Sequence, residues 1–372
     1  MIKKRILWID LARAAGMLLI IVGHVPNAFS GFTYNMIYAV NVPLFFILSG
    51  YLFKPQSYIK QLYKLFCNLI MPYLFTGFLM LLITEFVNHI WKYGGLISGG
   101  STKEMLAKIF FAVGTNTNML MTGFYMPSIG AIWFLPALFF SSIIYNFLMK
   151  TTDKYKYGFY IVGVISLVIC CLGFLITKNN ATVILPWSLN AAFIGTFFLW
   201  IGTAIHKNKF MKHHMAIFSI LGLIIWAFAS RFGAFWLNRA YADNPIIAII
   251  GACGGSYAIM SICYAIEKFT DSNTWHKVIK LIAIYGKDSL IVLCAHIIDL
   301  NHTLSSVYII REFSNIHTVG NTLLILYRIA ITVIAIVLFR FLPIFKNIYY
   351  NRQYPFNFQK NILVNINRRE KK

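Results

Sequence analysis

The chain has 372 residues, of which 59% are hydrophobic and only 12% are charged. Soluble domains carry roughly 25% charged residues, so this composition excludes an ordinary soluble fold. A net charge of +22 would suit nucleic-acid binding. However, the basic residues lie between apolar blocks, and we expect no nucleic-acid partner.

The apolar residues fall into blocks of about 17–25 residues, the length that crosses a bilayer as a helix. The sequence therefore predicts an all-α integral membrane protein, a bundle of about ten transmembrane helices. In chain order the predicted spans are 6–26, 38–53, 64–87, 129–149, 157–176, 186–205, 214–230, 245–267, 283–300 and 320–344. The second block is short, and the ninth carries Lys287 and Asp288 near its start. A surface helix is predicted at 102–113, inside the longest connection.

Basic residues alternate along the connections. The even-numbered connections and the C-terminal tail are rich in Lys and Arg, whereas Lys178 stands alone in the fifth connection and Arg311 in the ninth. This pattern follows the positive-inside rule, so both termini are predicted to be cytoplasmic. We divide the chain into a transmembrane domain, 1–345, and a basic cytoplasmic tail, 346–372. The lipid bilayer is its first expected partner.

Three polar residues lie inside the first predicted span. Arg13 and His24 are eleven residues apart, so on a helix they share one face at a separation of about 16 Å. Asp10 stands three residues before Arg13, within reach of an ion pair. Ionisable residues inside spans are costly and often functional. The structural alternative is an interfacial ion pair at Asp10 and Arg13, with His24 as a polar residue at the end of the helix.

The spacing of Arg13 and His24 suits a long ligand with an anionic head and a reactive tip. Coenzyme A has this form, with phosphates at one end and a thioester at the other. An arginine binds phosphate oxygens in a forked geometry, and a histidine can take the proton of an attacking hydroxyl. The six cysteines lack metal-ligand spacing, so we expect no metal and no permanently bound cofactor.

Several motifs occur in order along the chain. They are Trp8-Ile9-Asp10-Leu11-Ala12-Arg13 with Gly23-His24, the stretch 42–53 (VPLFFILSGYLF), Met71-Pro72-Tyr73, Ile132-Trp133-Phe134-Leu135, and Gly286-Lys287-Asp288-Ser289-Leu290 with His296. Together they resemble the membrane acyltransferase-3 family, most of all its fucose 4-O-acetylase-like branch of sugar O-acetyltransferases. The motifs run from the first predicted span to the ninth.

The resemblance implies transfer of an acyl group, usually acetyl, from cytoplasmic acyl-CoA to a carbohydrate hydroxyl. The acceptor would be a cell-surface polysaccharide or a lipid-linked sugar, and the location a bacterial inner membrane. The family's essential arginine and histidine correspond to Arg13 and His24. Many members carry an Arg-x-x-Arg pair where this chain offers Lys60 and Lys64, which we expect to contact the donor phosphates. His24 as a general base and His24 as an acyl carrier both remain open, as do acetyl and succinyl donors.

Four further residues are candidates for acceptor contact or a supporting role. Ser49 belongs to a Ser-Gly pair, which more often serves close helix packing than nucleophilic catalysis. His296 is an intramembrane histidine that could orient the acceptor or relay a proton, although a structural histidine is the commoner case. Glu85 near the end of the third span and Trp133 could contact the sugar.

A transporter or flippase for a sugar intermediate is the alternative function. Ten helices with polar residues inside the membrane would suit it as well, because fold does not determine function. No nucleotide-binding motif occurs, so a gradient would have to drive it. The pairing of Arg13 and His24 on one helix face favours the enzyme.

Overall fold

The computed structural model describes residues 5–26, 28–29, 31–89, 100–118, 124–178, 185–211, 215–269, 273–313 and 316–352. This part of the chain is mostly helical. The helices are α1 (Leu7–Gly23), α2 (Gly31–Val40), α3 (Pro43–Tyr51), α4 (Tyr58–Leu65), α5 (Met71–His89), α6 (Thr102–Phe111), α7 (Phe134–Thr152), α8 (Gly158–Lys178), α9 (Leu189–Lys207), α10 (Met215–Ala229), α11 (Pro245–Phe269), α12 (Asn273–Lys287), α13 (Ser289–His302), α14 (Ser305–Glu312), α15 (His317–Phe341) and α16 (Pro343–Phe345).

Short elements complete the bundle. Strands β1 (Thr117–Asn118) and β2 (Tyr125–Met126) form one antiparallel hairpin, and β3 (Phe235–Trp236) and β4 (Tyr241–Ala242) form another. Single 3-10 turns occur at Ala131–Trp133, Pro186–Ser188 and Leu237–Arg239, and π-helical turns at Phe66–Ile70 and Lys346–Asn351.

Within the described ranges, seven helices are long and apolar enough to cross a membrane, or eight if one bent pair counts as a single span. Each of the ten predicted spans lies on a helix. However, α1 has 17 residues and α10 has 15, below the length of about 20 residues that spans a bilayer without tilt or thinning. The count of ten and the cytoplasmic termini therefore stay predictions. The predicted surface helix at 102–113 corresponds to α6.

Two predicted spans differ in detail from the helices that form. Predicted span 38–53 is the second half of a longer helix, Gly31–Tyr51, which is interrupted by a turn at residues 41–42. Predicted span 283–300 is wrong as one straight helix, because α12 and α13 meet at an angle of 64°. The break falls at Asp288, a buried carboxylate that accepts a hydrogen bond of 2.7 Å from Arg340 of α15. The attraction between Asp288 and Arg340 offsets part of the cost of burying the Asp288 carboxylate.

Helix α1 lies at the centre of the bundle and contacts α2, α3, α11, α12, α13 and α15. Both of its ends are held by side chains from other helices. At the start, the amide of Trp8 donates to the carboxylate of Glu267 on α11, at 2.8 Å. At the end, the carbonyl of Gly23 accepts from the Tyr38 hydroxyl at 3.0 Å, and that of His24 from Arg328 at 2.8 Å. Terminal amides and carbonyls of a helix lack partners within it, so these contacts stabilise α1 inside an apolar bundle.

Glycine allows the closest approach between α1 and α12. A Cβ atom added at Gly286 would lie 1.7 Å from the carbonyl oxygen of Asp10 and 2.6 Å from the amide nitrogen of Ala14. Any larger residue would therefore push the two backbones apart. The contact brings the next residue, Lys287, close to the part of α1 that carries Arg13.

The chain after α15 turns back onto the bundle. Tyr349 is buried, and its hydroxyl lies 2.8 Å from that of Thr76 on α5. Arg352 donates a hydrogen bond of 2.8 Å to Asn68 in the π-helical turn before α5. The first residues of the predicted tail thus pack on the helices, and residues 353–372 lie outside the described residues.

We expect Gly286→Val to destabilise the protein, because the new side chain collides with the backbone of α1. Forced overpacking of this kind costs about 1–3 kcal/mol or more. The yield of monodisperse protein in detergent and its melting temperature measure the effect. The control is Ile284→Leu, a volume-conserving change at an exposed position of the same helix. Equal stability of the two variants would contradict this view of the contact between α1 and α12.

Candidate active site

A cavity of about 310 Å³ lies inside the bundle beside α1. Its lining includes Arg13 and His24, so one open space joins the two residues singled out on this helix. Between them the wall is mostly apolar, with Met17 and Ile20 on α1 and Phe45 on α3. Along an α-helix the two positions are about 16 Å apart. The cavity therefore has an Arg13 end and a His24 end, separated by an apolar channel.

Three cations line the Arg13 end. Arg13 comes from α1, Lys287 from the last position of α12, and Arg352 from the turn after the last long helix. Arg352 is close enough to repel Arg13 electrostatically. Arg13 also pairs with Asp10 at 3.4 Å. Asp10 is buried, accepts a second hydrogen bond from Arg5, and does not line the cavity.

Polar groups complete the Arg13 end. Asn68, the partner of Arg352, lines the cavity, as do Ser289 and Leu290 in the first turn of α13. The first amides of a helix have no intrahelical acceptor and carry the positive end of its dipole. No carboxylate is among the described residues that line the cavity. Positive charge therefore predominates at this end, which makes it an anion site by composition.

His24 is the residue that ends α1, and its ring is fixed by a local hydrogen bond. Nδ1 lies 2.7 Å from the carbonyl oxygen of Ile20. A carbonyl oxygen can only accept, so Nδ1 carries a proton, and in the neutral ring Nε2 keeps its lone pair. This is the tautomer that a general base or a nucleophile requires.

Around the His24 end, the cavity is lined by an indole, two amides and a phenol. Trp133 and Asn238 both stand against Gly114, where a Cβ atom would lie within 2.6–2.8 Å of their side chains. The Asn238 amide donates to the Gly114 carbonyl at 3.2 Å. Tyr38 and Asn41 add further polar groups to the lining. Indole rings with neighbouring amides are suited to the apolar faces and hydroxyls of a sugar.

Behind His24 lies a second, fully buried polar cluster. The ring of His296 is 5.3 Å from that of His24 in an edge-to-face arrangement, and neither of its nitrogens bonds to a residue that the structure describes. Arg328 pairs with Asp299 at 3.5 Å, and both side chains are almost completely excluded from solvent. This cluster lies outside the cavity lining.

A family model described as an acyltransferase domain, of the acyltransferase-3 family, matches residues 6–341. The chain belongs to the acyltransferase-3 family. No curated protein and no solved structure matches it. The match covers the helices that build the cavity, from α1 to α15, so this protein is a multi-pass membrane acyltransferase.

Of the sequence-predicted residues of this acyltransferase, four line the cavity: Arg13, His24, Ser49 and Trp133. Ser49 donates to the carbonyl of Phe45 at 2.7 Å. A serine hydroxyl in a helix commonly donates in this way to the carbonyl four residues earlier. The bond gives no geometric support for Ser49 as a nucleophile. His296 and Asp10 lie behind the wall, against His24 and Arg13 respectively.

The structure does not bring three predicted residues to the cavity. Lys60 and Lys64 lie on α4 and are not among its lining residues, so donor contact by them stays a prediction. Glu85 accepts a hydrogen bond from Thr102 at the start of α6 and pairs with His89 at 3.1 Å. That position ties α5 to α6 and is also outside the lining.

Sequence-based prediction did not select Lys287 and Arg352, which line the cavity of this acyltransferase, or Arg328, which bonds the carbonyl of His24. Lys287 was visible as a charge near the start of a predicted span. Arg328 was visible too, since it stands within span 320–344, where an ionisable residue is a functional candidate by default. Arg352 gave no such signal, because nothing in the pattern of a basic tail marks one residue as turning back onto the bundle.

Proposed function

We propose that this acyltransferase moves an acetyl or other short acyl group from cytoplasmic acyl-CoA to a hydroxyl of a cell-surface polysaccharide or lipid-linked sugar. We further propose that it works in a bacterial inner membrane, as a member of the fucose 4-O-acetylase-like branch. One observation carries the proposal: a single cavity joins three cations to an imidazole whose Nε2 is available.

The Arg13 end suits the phosphates of the donor. Guanidinium groups bind phosphate oxygens in pairs, and an ammonium binds them as a point charge. Coenzyme A brings several phosphate charges, which Arg13, Lys287 and Arg352 would balance. The apolar channel past Met17 and Phe45 would accept the pantetheine arm and leave the thioester near His24. The positive-inside rule predicts that this end faces the cytoplasm, where acyl-CoA is available.

The His24 end suits the chemistry. The Nε2 atom takes the proton of a sugar hydroxyl as its oxygen attacks the thioester carbonyl. The carbon–sulfur bond then breaks, and the proton returns from Nε2 to the departing thiolate, giving the ester and free coenzyme A. In the alternative route Nε2 itself attacks the thioester carbonyl and expels the coenzyme A thiolate. The sugar hydroxyl then attacks the acyl-imidazole, its proton passes to the thiolate, and Nε2 leaves as part of the restored neutral imidazole. Trp133 and Asn238 would hold the acceptor in both routes.

Membranes that contain this protein should transfer radiolabel from acetyl-CoA to carbohydrate, and His24→Ala should abolish the transfer. Loss of a general base or nucleophile costs at least about 10²–10⁴-fold in rate. The matched control is His317→Ala, an exposed histidine at the start of α15. Normal transfer by His24→Ala would exclude this residue from the chemistry. Absence of label from acetyl-CoA and from succinyl-CoA, with native acceptor supplied, would favour the transporter alternative.

Binding of coenzyme A to the purified protein should depend on the cations that line the cavity. We expect Lys287→Gln and Arg352→Gln each to raise the dissociation constant for coenzyme A by about tenfold. A hydrogen bond to a charged group contributes about 1.5–3 kcal/mol, and each variant loses one such contact. Lys60→Gln and Lys64→Gln are the matched controls, because they remove the same charge from α4. Titration calorimetry at two salt concentrations measures the effect. A loss of binding in the α4 variants alone would restore the sequence-based assignment of the donor site.

A further inference from the structure

We propose that Arg328, paired with Asp299, is a positioning residue for the acyl transfer, because it holds the end of α1 so that the His24 ring faces the cavity. This inference rests on the proposed function and adds residues that lie outside the cavity. Arg328 is only 2% exposed near the middle of α15.

A buried guanidinium is expensive and needs compensation inside the protein. Its charge is balanced by Asp299 of α13 at 3.5 Å. Asp299 is itself held, since its Oδ1 atom accepts hydrogen bonds from the hydroxyls of Thr303 at 2.6 Å and Tyr327 at 3.2 Å. The carboxylate can therefore act as a fixed support for the arginine rather than as a mobile counterion.

The guanidinium of Arg328 also bonds to α1. One guanidinium nitrogen donates to the main-chain carbonyl of His24 at 2.8 Å. This carbonyl stands at the negative end of the helix dipole, where a cation is favourable. The neighbouring carbonyl, that of Gly23, accepts from Tyr38. Side chains from α2 and α15 thus hold the last two carbonyls of α1 from different sides.

The two anchors constrain the catalytic ring through the main chain. His24 has its Nδ1 bonded to Ile20, one turn back on the same helix. With the carbonyl held by Arg328 and the ring held by Ile20, Nε2 has one direction available. A displacement of about 1 Å in a catalytic group can cost about 10²-fold in rate. A neutral hydrogen-bond donor could satisfy one carbonyl, but a charge pair gives a stiffer anchor in an apolar interior.

The test compares Arg328→Met with Arg328→Lys and with Thr332→Val. Thr332 is the control because it is buried one turn further along α15. Its hydroxyl lies 2.9 Å from that of Tyr285 and donates to the main-chain carbonyl of Arg328 at 3.0 Å, so it is bonded away from His24. We expect Arg328→Met to lower kcat by about 100-fold while KM for acyl-CoA stays within about twofold, since the donor phosphates bind at the other end of the cavity. Arg328→Lys should recover part of the turnover, and Thr332→Val should resemble the wild type.

A purely structural role for Arg328 would give a different outcome. It would reduce the amount of folded enzyme in the Arg328 variants and leave kcat per folded molecule unchanged. If Arg328→Met yields no monodisperse protein, Arg328→Lys carries the test, with about a tenfold lower kcat at unchanged KM, because its ammonium lacks the forked reach of a guanidinium. Wild-type kcat in the folded Arg328 variants would overturn the inference.

A second readout does not depend on activity. Diethyl pyrocarbonate labels accessible imidazole nitrogens, and mass spectrometry reports the rate at His24. We expect faster labelling of His24 in Arg328→Met than in Thr332→Val, because the released end of α1 exposes the ring. Equal rates would overturn the inference even if the wild type transfers acyl groups. Absence of transfer by the wild type, with the labelling difference present, would instead count against the proposed function alone.

Discussion

The anchoring of α1 at both ends is the interaction on which the rest of the site depends. Its first turn donates to Glu267, and its last carbonyls accept from Tyr38 and Arg328. Lipid offers no hydrogen bonds, so a helix that ends inside the bundle must find these partners among its neighbours. With 17 residues, α1 is short for a span, and its polar ends could not be left in hydrocarbon. The same contacts that make such a helix tolerable also determine where Arg13 and His24 stand.

Charge separation along the cavity follows from the same constraint. Carboxylates near the site are engaged in contacts behind the wall: Asp10 with Arg5 and Arg13, Asp288 with Arg340, and Asp299 with Arg328. The lining itself carries cations and no carboxylate among the described residues. In a medium of low polarity such an excess favours an anionic ligand strongly. The distribution therefore favours a ligand that is anionic at the end that contacts Arg13.

Two departures from regular helical structure build the Arg13 end. The 64° bend between α12 and α13 lies beside the cavity, where Lys287 and the first residues of α13 form part of the lining. The chain after α15 turns back, with Tyr349 buried, and carries Arg352 to the same place. Broken helices at membrane depth are tolerated where they line a cavity, since bound ligand or protein then satisfies the freed backbone groups.

The sequence alone was enough to predict the membrane class, the positions of most helices and the pairing of Arg13 with His24 on one face. These features depend on composition and on helical periodicity, both of which act within a single segment. Only the tertiary structure decided which cations line the cavity beside Arg13. Lys287 and Arg352 reach this place through a helix bend and a chain reversal. Lys60 and Lys64 lie on α4 and are not among the lining residues. Packing between helices likewise decided the contact between Arg328 and His24, which lie about 300 residues apart in the chain. Periodicity relates residues within one helix and carries no information about which helices meet.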